Sequence, residues 1–228
     1  MLTINVGNSI DLETNKKVFQ LYYQLLKNRH ASWLDIIPAY ATVSIVFDTV
    51  TIRQQNPSAF EWMRAQIENV LSEIEETETI PSRHVQVPVC YDAEFALDAD
   101  RIEKEKNISL EELIALHAVK PYHVFMIGFL PGFAYMGPVD QRIATPRLST
   151  PRTNVLAGSV GIAGAQTGIY PLESPGGWNI IGRTPLNLFD PNSAQPVFFQ
   201  PGDQVKFYPI TMAEFIAFDQ STYKMIIS

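Results

Sequence analysis

Two arginines in the second half of the chain follow the same Thr-Pro dipeptide. Segments 145–147 and 150–152 both read Thr-Pro-Arg and end in Arg147 and Arg152. Because proline fixes its own φ and favours an extended residue before it, each arginine projects from a stiff backbone. A guanidinium group binds a carboxylate or a phosphate through two parallel hydrogen bonds. The pair predicts an anion clamp; the alternative is that each arginine pairs with an internal carboxylate or with loop carbonyls.

The glycine-rich stretch 158–178 contains neutral groups that would suit the same site. Gln166 and Thr167 provide neutral donors and acceptors, and Tyr170 and Trp178 provide aromatic surface. Loop amides combined with such side chains are typical of a site for a small polar ligand. The stretch therefore predicts binding of a small acid or amide, and the alternative is a glycine-rich turn around a core tryptophan.

Three more residues belong to the predicted site. Phe133 and Tyr135 follow a Pro-Gly break at residues 131–132, which favours pocket lining over core packing. Glu173 is the only acid near the glycine-rich stretch, so it is the candidate general base. The alternative for Glu173 is a solvated glutamate in a turn.

The common catalytic and nucleotide-binding signatures are absent. The sequence has no Gly-Lys-Ser/Thr of a P-loop, no GxGxxG, no GxSxG and no HExxH. It has one cysteine and four histidines, so we expect no metal site in this chain. His117 and His123 are expected to be packed or hydrogen-bonded structural residues.

Composition narrows the class of protein. Hydrophobic residues make up 46% and charged residues 18% of 228, which excludes a disordered chain. A net charge of −7 argues against a nucleic-acid partner. No apolar run reaches the ~18 residues that cross a bilayer, and no secretory signal is visible. The lone Cys90 fits a reducing compartment, so we expect a cytoplasmic protein.

A change in composition soon after Pro81–Ser82 predicts a boundary between two domains, 1–82 and 83–228. The first is a small α/β domain, in which Asn56 is expected to cap a helix and the acidic run 73–78 to be a solvated helix end. Its predicted elements are a strand at 2–6, a helix at 12–29, an extended link at 33–38, a strand at 41–47 and a helix after Asn56. In the second domain, a strand at 84–91 precedes a helical region at 94–120, where Ser109 and Glu112 have capping-box spacing. Beyond residue 122, short apolar runs alternate with Gly/Pro turns as in a sandwich or barrel, and 212–221 predicts a final helix.

The longest motifs carry a specific likeness. Residues 128–137 read GFLPGFAYMG, residues 144–178 read ATPRLSTPRTNVLAGSVGIAGAQTGIYPLESPGGW, and residues 181–191 read IGRTPLNLFDP. With shorter matches at 37–40 and 87–91, they make nearly the whole chain resemble the family of bacterial 5-oxoprolinase B-type subunits. That family is also described as allophanate hydrolase subunit 1, or as a Kip-type inhibitor of a sporulation histidine kinase.

The resemblance implies an α+β fold, with the small N-terminal α/β domain followed by a cyclophilin-like β-barrel domain. It implies a hetero-oligomer with C-type and A-type subunits that opens 5-oxoproline to glutamate at the expense of ATP, and a chain that is inactive alone. It leaves open whether this chain or the complex binds ATP. The alternatives are a regulatory protein that inhibits a sensor histidine kinase, and a carboxyltransferase half acting on a urea-like substrate.

One departure concerns the N-terminus. Members of the family usually begin with a strand and a Gly-rich turn before the stretch that here starts at Met1. We therefore expect one edge strand of the N-terminal domain to be missing from this sequence, which would leave unpaired backbone groups on its neighbour.

Overall fold

The computed structural model describes residues 1–72 and 82–223. The chain divides into two compact units, Met1–Pro81 and Ser82–Ser228. This division falls one residue before the predicted boundary between residues 82 and 83. The acidic run predicted to end a helix at 73–78 lies outside the described residues.

Within residues 1–72, the N-terminal unit is an antiparallel sheet with three helices. Its strands lie in the order β1–β3–β2, and their bounds are β1 Leu2–Asn5, β2 Trp33–Pro38 and β3 Thr42–Phe47. The helices are α1 Leu12–Lys27, α2 Thr49–Gln55 and α3 Ala59–Ser72. Alternate residues of β3, Val43 and Ile45, are fully buried against the apolar faces of the helices, which is the period-two pattern of a half-buried strand.

Two predictions for this unit were wrong. Residues 33–38 form strand β2 rather than a link, since they pair with β3 along their length. Asn56 does not begin a helix. It ends α2, where its N–H donates to the Ile52 carbonyl at 3.1 Å, and the Ser58 hydroxyl accepts from Glu61 N–H at 3.3 Å at the start of α3. The sequence pattern missed α2, whose first amides are capped by the Asp48 carboxylate.

In the second unit, seven of the strands within residues 82–223 close into a barrel in the order β11–β4–β12–β5–β6–β9–β8. Neighbouring barrel strands are antiparallel except β4 and β12, which run parallel from His84↔Gln204 to Cys90↔Ile210. A separate two-stranded ribbon pairs β7 with β10. The bounds are β4 His84–Cys90, β5 Tyr122–Ile127, β6 Ala134–Gly137, β7 Arg152–Val155, β8 Ser159–Ala163, β9 Gln166–Ile169, β10 Ser174–Gly176, β11 Asn179–Arg183 and β12 Gln204–Ile210.

Helices accompany the barrel at two places in the chain. They are α4 Ala99–Lys106, α5 Leu110–Ala118, α6 Met212–Ile216 and a 3-10 turn at Gln220–Thr222. The single helical region predicted at 94–120 is thus divided in two, because Asn107 adopts a left-handed conformation with φ of 53°. Ser109 then caps α5 by accepting from Glu112 N–H at 3.2 Å, at the position that the capping-box spacing indicated.

The barrel is filled by apolar side chains from most of its strands. Val85, Val87 and Val89 of β4 point inward with Val205 and Phe207 of β12, and all five are at most 1% exposed. Helices α4 and α5 cover part of this core with Ile102 and Leu113. The closed barrel confirms the predicted α+β fold and resolves the choice between sandwich and barrel. Among the described helices, none combines the length and the apolar character needed to span a membrane.

Candidate functional site

A cavity of about 230 Å³ opens on the barrel unit where three chain segments meet. We call it the aromatic cavity. Its walls come from the loop after β5 and the start of β6, from residues 147–151 of the two Thr-Pro-Arg segments, and from residues 170–178 around β10. The lining residues are Phe129, Tyr135, Arg147, Pro151, Tyr170, Pro175, Gly176, Gly177 and Trp178.

The floor of the aromatic cavity is a cluster of edge-to-face rings around Phe133. The Phe133 ring centroid lies 4.9 Å from that of Tyr135 and 5.3 Å from those of Tyr170 and Trp178. Phe133 is itself 1% exposed, so it supports the walls without lining them. Such pairs contribute about 0.5–1.5 kcal/mol each beyond the burial of apolar area. The ring contacts therefore stabilise the arrangement of the cavity walls.

Arg147 lies over the outer wall of the aromatic cavity. Its Cζ atom is 5.8 Å from the Trp178 ring centroid, a cation–π distance. The side chain is exposed, and among residues 1–72 and 82–223 it has neither a hydrogen-bond partner nor an ion pair. Its donors therefore face solvent at the mouth of the cavity.

The backbone on both sides of Arg147 is anchored. Leu148 N–H donates to the Gly177 carbonyl at 2.8 Å, which joins this segment to the turn before Trp178. On the other side, the buried Asn179 amide donates to the Pro146 carbonyl at 2.9 Å and to Ile162 at 3.0 Å. These bonds supply the rigid mount that the Thr-Pro dipeptide predicted.

Arg152 has a different environment. Its Nη2 donates to Asp98 Oδ1 at 2.8 Å, and Asp98 Oδ2 accepts the Ile180 backbone N–H at 2.6 Å. Asp98 is 5% exposed, so this is a largely buried ion pair. The Nη1 atom of Arg152 is buried and has no partner within the part of the chain that the structure describes. Of the two outcomes that the sequence left open, Arg152 adopts the internal ion pair.

Thr167 lies inside the barrel in a row of three polar side chains. The Thr167 hydroxyl donates to the Gly161 carbonyl at 3.1 Å, so its oxygen accepts from His117 Nε2 at 2.9 Å. His117 Nδ1 then accepts from the Tyr91 hydroxyl at 2.7 Å. We refer to the Asp98–Arg152 pair and this Tyr91–His117–Thr167 row together as the polar interior.

Burial determines the protonation states in both regions. It lowers the pKa of His117 to about 3, so the imidazole is neutral, as the hydrogen bonds require. It also raises the pKa of Tyr135, against the opposing effect of the Arg147 charge. Burial raises the pKa of Tyr170 as well, while a hydrogen bond from the Trp178 backbone N–H lowers it. Both cavity phenols are therefore neutral near pH 7 and can act as hydrogen-bond donors.

Comparison with known proteins gives the family. The sequence matches the family model described as "Carboxyltransferase domain, subdomain C and D" over residues 1–199. The B-type subunit of 5-oxoprolinase from Bacillus subtilis (strain 168) is 37% identical over 225 residues, which cover 97% of this chain and 94% of that protein. The chain belongs to the family of 5-oxoprolinase B-type subunits. The resemblance stated from the motifs is confirmed.

A second relative and a solved structure are consistent with this family assignment. The corresponding 5-oxoprolinase subunit of Haemophilus influenzae is 51% identical over 125 residues, or 55% of this chain and 59% of that protein. The crystal structure of TTHA0988 superposes with a TM-score of 0.80 at 32% identity and covers 92% of this chain. This chain spans only 39% of TTHA0988, so it corresponds to one part of a longer polypeptide there.

The two remaining residues predicted for the site do not line the aromatic cavity. Gln166 is half-buried at the start of β9 and does not line the cavity. Glu173 is exposed in the turn before β10 and is also outside the lining. The structure thus brings together Arg147, Tyr135, Tyr170 and Trp178 above Phe133, and it places Arg152 and Thr167 in the polar interior.

Sequence reasoning left Phe129 undecided between pocket lining and core packing, and it missed Asn179 and Asp98. Phe129 is 64% exposed at the cavity mouth, with a positive φ of 70° that is rare for an aromatic residue. Its position before Leu-Pro-Gly was the available signal. Asn179 and Asp98 had no local signal, because their partners are far away in sequence. No group of three potential metal ligands occurs among the described residues.

Proposed function

We propose that this chain is the B-type subunit of an ATP-dependent 5-oxoprolinase complex that opens 5-oxoproline to glutamate. The proposal is supported by the names of the relatives, one of which matches along almost its full length. It is also supported by one observation in the structure: an arginine that is unpaired among residues 1–72 and 82–223 lies over the wall of a small aromatic cavity.

The aromatic cavity suits the chemistry of 5-oxoproline. The substrate has one carboxylate, one lactam carbonyl and a small flat ring. Arg147 would hold the carboxylate with its guanidinium fork, and the Tyr135 and Trp178 rings would contact the lactam ring. The neutral Tyr135 hydroxyl would donate a hydrogen bond to the lactam carbonyl. A volume of about 230 Å³ lies below the ~300–1,000 Å³ common for drug-sized ligands, as expected for a small substrate.

The same lining supports a requirement for partner subunits. The titratable side chains of the aromatic cavity are Arg147, Tyr135 and Tyr170, and none of them is a base near pH 7. Cleavage of the lactam C–N bond by water needs a group that accepts a proton. We therefore assign substrate binding to this chain, and we assign the general base and the handling of ATP to the complex with the C-type and A-type subunits.

Reconstitution tests this proposal. The purified chain is mixed with its A-type and C-type partners, 5-oxoproline and ATP, and the release of glutamate and ADP is followed. We expect turnover only in the complete mixture. The relative from Bacillus subtilis serves as the control in the same assay. Activity of the chain alone would contradict the proposal, as would a mixture that is active with the control protein and inactive with this chain.

A second candidate function is favoured by the description of the matched family as a carboxyltransferase domain. In this alternative, the aromatic cavity would hold a urea-like substrate while a biotin-borne carboxyl group is transferred to it. The same purified mixture, supplied with urea, bicarbonate, ATP and a biotinylated carrier with its carboxylase, tests it. Incorporation of labelled bicarbonate into urea would favour this candidate, and glutamate formation from 5-oxoproline without such incorporation would exclude it.

A further inference from the structure

Arg183, at the end of β11, is half-buried and has no counter-ion within the part of the chain that the structure describes. Its Nε donates to the Ala157 carbonyl at 2.9 Å. Its Cζ atom lies 5.5 Å from the Phe95 ring centroid and 5.9 Å from that of Phe215. Throughout residues 1–72 and 82–223, no carboxylate forms an ion pair with it.

This environment holds the guanidinium group in one orientation. The two rings pack against the guanidinium group and restrict its movement. The Ala157 carbonyl accepts a hydrogen bond from Nε alone. The two terminal nitrogens therefore remain as donors, in the fork arrangement that matches a carboxylate or a phosphoryl group. A partly desolvated charge is unfavourable unless it is paired, so the folded chain carries a cation that a bound anion would stabilise.

A cavity of about 410 Å³ lies beside this guanidinium group, and we call it the Arg183 cavity. Its lining includes Thr184, Asn187, Phe215 and Phe218. It shares no lining residue with the aromatic cavity.

A glycine is required in the turn beside this cavity. Gly158 has a φ of +83°, and a Cβ atom there would collide with the Thr184 carbonyl oxygen. Only glycine combines a positive φ with the absence of a Cβ atom. The Ala157 carbonyl that accepts from Arg183 belongs to this turn, so its position depends on Gly158.

We infer that the Arg183 cavity is a second binding site, which takes a small oxyanion with a carboxylate or phosphoryl group through the terminal nitrogens of Arg183. Asn187 forms part of the wall and can contribute its side-chain amide. This site is separate from the one proposed for 5-oxoproline. Its occupation does not require the proposed reaction.

Calorimetric titration of the purified chain, without partner subunits or 5-oxoproline, tests the inference. The probes are inorganic phosphate, acetate and ATP at constant ionic strength, and they separate a free phosphate, a carboxylate and a nucleotide as sources of the anion. We expect saturable binding of at least one probe, weakened about tenfold or more in Arg183→Gln, because hydrogen bonds to charged groups are the strong ones.

A second pair of variants leaves Arg183 in place. Asn187→Asp keeps the side-chain oxygen that accepts from Phe189 N–H and adds a negative charge to the wall of the cavity. Asn192→Asp adds the same charge at an exposed loop position outside the lining. We expect weaker anion binding in Asn187→Asp and unchanged binding in Asn192→Asp.

Three results would overturn the inference. The first is the absence of saturable binding for all three probes. The second is equal binding by the wild type, Arg183→Gln and Asn187→Asp. The third is binding that is lost in Arg147→Gln and retained in Arg183→Gln, which would place the anion at the aromatic cavity instead. Because no turnover is measured, these results are independent of whether the proposed 5-oxoprolinase activity is found.

Discussion

Arg147 and Arg152 follow identical Thr-Pro dipeptides, yet they belong to two different regions. Arg147 lies exposed over Trp178 at the aromatic cavity, with its charge unpaired among the described residues. Arg152 lies in the polar interior, where it is bound to a carboxylate 54 residues earlier in the chain. The same local sequence therefore supplies a ligand-binding group at one position and a structural ion pair at the other. The difference lies in what the rest of the fold brings to each side chain.

This comparison separates stability from binding. Substitutions in the polar interior should lower the free energy of unfolding, because they leave buried polar groups without partners. Substitutions at the aromatic cavity should change binding and turnover while the fold remains stable.

The largest effect is expected for Arg152→Ala. It leaves the Asp98 carboxylate buried without its counter-ion, and breaking such a pair costs about 3–5 kcal/mol of unfolding free energy. Urea denaturation followed by circular dichroism measures it. Arg142→Ala is the matched control, since that arginine pairs with Asp140 at 3.0 Å on the surface and its loss should leave the transition unchanged. If both variants unfold alike, the distinction between the two regions fails.

Arg147→Ala should show the opposite behaviour. In the reconstituted complex, kcat/KM for 5-oxoproline should fall about 10- to 100-fold, because a hydrogen bond between charged groups is worth about 1.5–3 kcal/mol. The melting temperature should not change. Arg147→Lys keeps the positive charge and loses the two parallel donors of the guanidinium group. Its kcat/KM should therefore lie between those of the wild type and Arg147→Ala. A large drop in melting temperature with full activity would instead show that Arg147 stabilises the fold and does not bind the substrate.

His117 allows a test by pH. Its pKa is about 3 in the folded chain and near 6.5 when unfolded, so the unfolded state binds more protons between these values. The free energy of unfolding is therefore highest above pH 6.5 and decreases as the pH falls below that value. At pH 5 the decrease is about 2 kcal/mol. Unfolding curves at pH 7 and pH 5 measure the loss. His117→Asn should show a smaller difference between the two pH values, and an equal difference would contradict a buried neutral His117.

Glu173→Gln should have the smallest effect. Glu173 is exposed and lies outside the lining of the aromatic cavity, so we expect less than about a twofold change in kcat, as for a substitution that removes no contact in the transition state. Steady-state turnover of the reconstituted complex checks this. A drop of two orders of magnitude or more would instead support the general-base role predicted from the sequence, and the acid would then have to reach the substrate in the assembled complex.

Much of the aromatic cavity was predictable because its parts are local motifs. The Pro-Gly break before Phe133 and Tyr135 and the glycine-rich turns around Tyr170 and Trp178 indicate short strands with shaped connections. Those connections bring the rings together. The polar interior was not predictable in this way. The contact between His117 and Thr167 joins residues 50 apart, and that between Tyr91 and His117 joins residues 26 apart.

By itself, the sequence determined the family and the two-part α+β organisation, because long motifs and alternating apolar runs identify strands and turns. The barrel followed only from the resemblance to the family, since the apolar runs fit a sandwich equally well. The sequence also determined that two arginines stand on stiff backbone. Only the tertiary structure decided which of them is available to a ligand. Folding of the second unit brought Asp98 to Arg152 and an aromatic ring to Arg147, and an unpaired charge differs from a paired one only through such long-range neighbours.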